Sequence, residues 1–226
     1  VTVIGLPAIW IGLVKTPEEK QLAPDGVQVS TTFTDAKPKS NSVWTFRRAL
    51  AEKDIWLIAI VMGSGFITIS AVLLSIHSHM TDAGMSDMRA STIIAAMTLT
   101  GAIAKPLFGI LTDYLNKKLV IFISIGAQFF GVSGFVLFDS YISLIFAAGL
   151  FGFGYGAQMP LFNILVATIY GREDFPRVIG LMGPMMLPFN MLGLPVATLV
   201  YEKFGSYIPA YAGVLVFCLV AAICLS

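Results

Sequence analysis

Residues 55–76, 91–112, 118–138, 142–169, 178–201 and 207–226 form six apolar stretches, each of about 20 residues or more, parted by short polar turns. At about 1.5 Å per residue, a helix of that length crosses a hydrocarbon core about 30 Å thick. Every backbone polar group must be satisfied inside the segment at that depth, which leaves helices or closed barrels. Barrel strands would alternate polar and apolar residues; these stretches do not. Composition agrees: 57% of residues are hydrophobic and 12% charged, against about 25% charged in soluble domains. The fold class is an all-α, multi-pass membrane protein with six transmembrane helices.

Lys and Arg set the orientation. Residues 15–54 carry seven, the 113–118 turn adds Lys117 and Lys118, and the 170–177 loop adds Arg172 and Arg177. The opposite side has only Arg89 and Lys203. Eleven against two places residues 15–54 in the cytoplasm. The expected divisions are an upstream helix's tail at 1–14, a cytoplasmic central loop at 15–54 and a six-helix bundle at 55–226. Residues 44–53 suit a short surface helix, and Asp54 suits an N-cap for the first span. An apolar start without Met and an apolar end at Ser226 are expected of a piece of a longer protein.

Net charge is +1, and no basic patch with aromatics points to nucleic acid. Cys218 and Cys224 cannot meet on one helix and fit no metal-ligand spacing. Gly152-Phe-Gly154-Tyr-Gly156 has a glycine pattern like a phosphate loop, but it lies within a span and follows no strand. Helix packing and kinks account for such glycines, and packing for Met182, Met185, Met186 and Met191. His77 and His79 are expected in a solvated outer loop, with pH sensing as the alternative. There is no nucleophile–base pair, metal cluster or pair of intramembrane carboxylates, so no enzyme chemistry and no cofactor is expected.

The second stretch carries a lysine, Lys105, in its interior. A cation at that depth costs about 2.5–3.5 kcal/mol on insertion scales. Thr98, Gly101, Lys105 and Thr112 recur at i, i+3, i+7 and i+14 and share one helical side. Lys105 lies about four residues, or ~6 Å, to the cytoplasmic side of the span's centre. Tyr155, Gln158 and Asn190 occupy similar depths in the fourth and fifth spans. Such convergence suits a midplane substrate site. Snorkelling by Lys105 and plain interhelical bonding by Gln158 and Asn190 are the bland alternatives.

The turn Gly109-Ile-Leu111-Thr-Asp113-Tyr-Leu-Asn116-Lys117-Lys118 resembles the cytoplasmic motif G-x-L-x-D-R-x-G-R-R of the major facilitator superfamily. Tyr114 stands for its Arg and Asn116 for its Gly; Asn tolerates the left-handed backbone a Gly there would adopt. The resemblance implies the carboxy-terminal half of a twelve-helix alternating-access carrier, with Gly109, Asp113, Lys117 and Lys118 in a gating motif. Three further segments resemble the monocarboxylate and oxalate/formate carrier group. They are Thr16-Pro-Glu18…Leu22-Ala-Pro24-Asp25-Gly26, Ile76-His77-Ser-His79-Met-Thr-Asp82-Ala-Gly84-Met-Ser86 and Gly205-Ser-Tyr207.

In that group a cation four residues before the motif glycine contacts the substrate carboxylate, and Lys105 stands there. Some members have an aspartate, tied to proton coupling, four residues earlier; this chain has Gly101. A second cation used by oxalate carriers has no counterpart within 178–201, which disfavours a dianion. The resemblance thus implies secondary active transport of a small organic anion, a monocarboxylate, in the plasma (inner) membrane. Proton coupling stays open, and the implied partners are the lipid bilayer and an amino-terminal six-helix half. A sugar or drug carrier, or a non-transporting receptor or scaffold, are the rival readings. The topology has a direct check: with Cys218 and Cys224 removed, Ser140→Cys should react with an impermeant thiol reagent on sealed right-side-out cells, and Ser40→Cys should not. The reverse pattern inverts the orientation.

Overall fold

The computed structural model describes residues 51–225, and these are helical almost throughout. The expected tail at 1–14 and nearly all of the 15–54 loop and of the surface helix lie outside the described residues. The elements are α1 (Lys53–Asp82), α2 (Asp87–Tyr114), α3 (Lys117–Leu137), α4 (Tyr141–Gly156), α5 (Gln158–Phe204) and α6 (Ile208–Leu225). They do not map one-to-one onto the six spans. The fourth span, Tyr141–Gly171, joins α4 to the first part of α5, and the fifth is Asp174–Phe204. Gly171, at φ 73° and ψ 174°, separates the two; an L side chain rarely adopts that backbone. Five spans are long and apolar enough to cross a membrane, and the sixth, Ile208–Cys224, is apolar but shorter.

The first span runs past its expected end at 76 to Asp82. Its polar last turn stays helical because the chain closes it. Met85 N–H donates to Met80 O and Gly84 N–H to Thr81 O, with Gly84 at φ 85°. This pairing is a Schellman motif, which satisfies the last carbonyls. His77 and His79 are therefore helical, not in a loop. His77 Nε2 lies 4.0 Å from Asp87, while His79 Nε2 meets Phe135 O at 3.3 Å and its ring meets Tyr211 edge-on. At the other end, Glu52 is the N-cap residue and makes no side-chain cap bond. Asp54, expected as the cap, sits in the first turn, where its charge favours the helix dipole.

Asn116 differs from expectation as well. It has φ −60° and ψ 124°, outside the left-handed region, and its side chain accepts from Lys118 N–H at 3.0 Å. It caps α3, as Asn does when its oxygen serves an orphan N–H.

The core has two apolar clusters. One joins Ile58, Met62, Phe108, Ile121, Leu161 and Met182; the other joins Ile76, Met97, Phe135, Phe151, Tyr207 and Tyr211. Met182 and Met186 are buried and Met191 is exposed, so only part of that methionine group packs inside. Cys218 is buried beside Thr68 Oγ1, and Cys224 is exposed. Outward faces are apolar as well: Ile103, Phe130, Ile142, Phe146 and Leu199 are exposed. That pattern suits a protein whose surroundings are hydrocarbon.

Small residues set the helix spacing. A Cβ on Gly131 would lie 2.6 Å from the backbone nitrogen of Phe151, whereas one on Gly126 would meet nothing within 4 Å. Without a hydrophobic drive between helices in lipid, such backbone approach carries the association. Gly131→Val should therefore cost roughly 1–3 kcal/mol of overpacking, read as a lower Tm in detergent, while Gly126→Ala should leave Tm unchanged. Equal Tm values for the two variants would disprove the distinction.

Candidate functional site

Two spans bury little of themselves. In the apolar stretches of α2 and of Asp174–Phe204, 28% and 22% of residues are buried, against 67% for α1. α2 turns Ala90, Ile93, Met97, Gly101, Ala104, Phe108 and Thr112 inward. Its polar side is thereby split: Gly101 and Thr112 belong to the buried face, while Thr98 and Lys105 stand exposed at its edge. Thr98 and Thr112 hydroxyls both return to their own helix, Thr98 to Ile94 O at 3.0 Å and Thr112 to Gly109 O at 2.6 Å.

Tyr155 meets Gly101. A Cβ there would lie 2.6 Å from the Tyr155 Cζ and 2.7 Å from its hydroxyl, so only a glycine admits the phenol at this spot. Tyr155 is half-buried, and its ring lies 6.0 Å from that of Phe151. Lys105 follows one turn beyond Gly101, about 6 Å along α2. It makes no hydrogen bond or ion pair with any described residue. Asn190 is exposed on the fifth span and likewise makes no hydrogen bond among the described residues.

Gln158 is placed differently. It is 4% exposed, and its amide N–H donates to Met62 O at 2.8 Å while its oxygen accepts from Gln128 Nε2 at 3.3 Å. These bonds tie the fourth span to α1 and α3 inside the bundle. The structure thus brings together Gly101 and Tyr155 with Lys105 one turn away, and puts Gln158 in the interior. Gln128, 1% exposed, is the residue that sequence reasoning passed over; the signal was an amide in the middle of the apolar third span.

In the 109–118 turn, Lys117 Nζ donates to Thr168 Oγ1 at 2.8 Å and joins the start of α3 to the end of the fourth span. Asp113 is exposed and has no hydrogen bond or ion pair among the described residues, and Gly109 faces open space. Beyond the turn, Arg177 and Asp174 pair at 3.7 Å. On the opposite side of the membrane, the Arg89 guanidinium lies 5.3 Å from the centre of the Tyr141 ring and links α2 to α4.

The burial of Gln158 gives a prediction. Gln158→Leu removes the bonds to Met62 O and from Gln128 Nε2, at roughly 0.5–1.5 kcal/mol each. Tm should fall in detergent with no substrate present. An unchanged Tm would show that these bonds hold nothing.

Comparison with known proteins follows the same lines. The pattern of the Major Facilitator Superfamily matches residues 55–226. Monocarboxylate transporter 2 of Homo sapiens is 24% identical over 152 residues, which cover 66% of this chain and 31% of that protein. Monocarboxylate transporter 10 of Mus musculus is 28% identical over 137 residues, 54% of this chain and 26% of that protein. The counterpart from Rattus norvegicus is 29% identical over the same length. The chain spans between a quarter and a third of these relatives.

Proposed function

We propose that this chain, which belongs to the Major Facilitator Superfamily, is the carboxy-terminal half of a secondary carrier that moves a small monocarboxylate by alternating access. The chain is a multi-pass membrane protein of a transporter family, not an enzyme. The observation that carries the substrate class is Lys105: a cation within α2, exposed, beside the Gly101–Tyr155 contact, and without a counter-charge among the described residues. An ammonium at that depth is costly alone, and a carboxylate would supply its missing charge.

On this reading the little-buried faces of α2 and of the fifth span turn toward an amino-terminal six-helix half, and the substrate lies between the halves. Lys105 and Tyr155 contact it from α2 and the fourth span, and Asn190 from the fifth. Gln158 acts behind them, through the helices it joins. The 109–118 turn, which ends in Lys118, gates the cytoplasmic side, with Lys117 as its cross-helix contact and Asp113 as a charge available to the other half. The names of the relatives favour a monocarboxylate over a sugar or a drug. The plasma membrane is the proposed location, and proton coupling would need a carboxylate outside these spans, since none has Asp or Glu in its interior.

Lys105 provides the test. In the carrier assembled with its amino-terminal half, Lys105→Gln should abolish thermal stabilisation by pyruvate. Lys105→Arg should retain part of it, since Arg keeps the charge but presents a planar fork. Membrane expression of both variants is the control. Pyruvate binding by Lys105→Gln at the parent's affinity would reduce Lys105 to a snorkelling residue and end the organic-anion reading.

A further inference from the structure

We propose that Gln128 is a positioning residue: it clamps a kink in the fourth span and so fixes the direction in which the span leaves the Gly101–Tyr155 contact. This deepens the proposed function and rests on it for the role of Tyr155. The break follows from sequence. Pro160 has no N–H to offer the carbonyl of Gly156, and its ring crowds that carbonyl. The regular helix is interrupted at Ala157 alone, which keeps right-handed helical dihedrals, φ −70° and ψ −23°, so the break is a kink. At the junction Ala157 N–H reaches back three residues to Gly154 O, at 3.3 Å, instead of four.

Side chains of α3 converge on that carbonyl. Gly154 O accepts from Ser124 Oγ at 2.9 Å and from Gln128 Nε2 at 3.5 Å. The same Nε2 donates to Gln158 Oε1 at 3.3 Å. One amide nitrogen therefore holds a residue before the break and a residue after it. Ser124 holds only the first. Gln158 then anchors the second piece to α1 through Met62 O.

The broken segment has little room to move while this clamp is made. A Cβ on Gly154 would collide with the α3 backbone at Gln128 and Ser124, and one on Gly156 with the α2 backbone at Gly101. The junction is wedged between α3 and α2, with Tyr155 between these two glycines. A pivot at 156–157 would swing the later piece of the span away from the Gly101–Tyr155 contact, one turn from Lys105. The Oε1 of Gln128 is buried and has no partner among the described residues. In hydrocarbon an acceptor without a donor is expensive, so this arrangement is poised for exchange. If α1 withdrew Met62, the Gln158 amide would be free to donate to Gln128 Oε1 instead.

The test reads position, not stability. Spin labels are placed by Phe204→Cys with Ile169→Cys, a pair that reports the piece after the break. A second pair, Phe204→Cys with Ile142→Cys, reports the piece before it. All three positions used are exposed in the bundle, and Cys218 and Cys224 are removed. From Ala157 to Ile169 the lever is about 18 Å, so a pivot of about 10° moves the label by about 3 Å. In the assembled carrier in lipid nanodiscs, Gln128→Met should shift or broaden the 204–169 distance and leave the 204–142 distance unchanged. Ser124→Ala should move neither. Two unchanged distances in a folded Gln128→Met protein would overturn the clamp, and so would equal changes in both. Should Gln128→Met fail to fold, Gln128→Asn is read the same way, because it keeps the amide but is one methylene too short to span the break. If the parent carrier shows no pyruvate binding, the substrate reading fails while the distances still decide the clamp.

Discussion

The carbonyl of Gly154 is the point on which the fourth span depends. Hydrocarbon offers no water to a backbone group released from its helix, and the tightened turn at Ala157, three residues before Pro160, disturbs the ladder at this one. The chain answers with a short-range bond from Ala157 and with two side-chain donors, Ser124 and Gln128. Those donors must come from a neighbour whose backbone lies very close. The glycine at 154 makes that approach feasible, since any side chain there would strike α3. Break, glycine and amide are one solution to one solvation problem, and they also fix the spacing between α3 and the fourth span.

The same constraint reaches the candidate site. Gly156 lies against the backbone of Gly101, and Gly101 admits the Tyr155 ring. Two glycines on facing helices thus set the separation of α2 from the fourth span, and with it the place of the Tyr155 ring. Gln158, on the far side of the break, gains nothing from facing a substrate, because its two hydrogen-bonding functions are already committed to Met62 and Gln128. It acts on the site by holding the helices that carry it.

Much of this was legible in the sequence. The six spans were read from length and apolarity alone, because lipid leaves a chain few alternatives. The 109–118 turn was recognised by its residues, and the close packing of glycines by their frequency. The misplacements have physical causes. The polar residues 77–82 hid the last turn of α1, since apolarity reports membrane depth and not helicity; Gly84 followed by Met85 was the real stop signal. Asn116 was expected to take glycine's backbone, but an Asn before a helix can use its side-chain oxygen as a cap. Helical spacing grouped Thr98, Gly101, Lys105 and Thr112 on one side without saying which edge was buried. That depends on which neighbour α2 meets. Gln158 was read by depth, and depth does not distinguish a cavity wall from an interior bond. Gln128 was passed over although an amide in an apolar span was a signal, because one of its partners is a backbone carbonyl and the other lies 30 residues away on another helix.

The exposed sides of α2 and of the fifth span bear on the same question from outside. Lipid would accept the apolar Leu99, Ile103, Leu187 and Met191 there, but not Lys105 or Asn190 among them. Lys105 stands about four residues from mid-span, so its stem could bring the ammonium only part of the way to the headgroups. A helix that carried it toward hydrocarbon would bear a penalty with nothing gained. On the proposed reading the penalty is offset by what that face meets: a second half-bundle that excludes lipid, and a carboxylate held between the halves. The charge is then unfavourable in the half alone and favourable in the loaded carrier. That difference is what couples binding of the substrate to closure of the two halves around it.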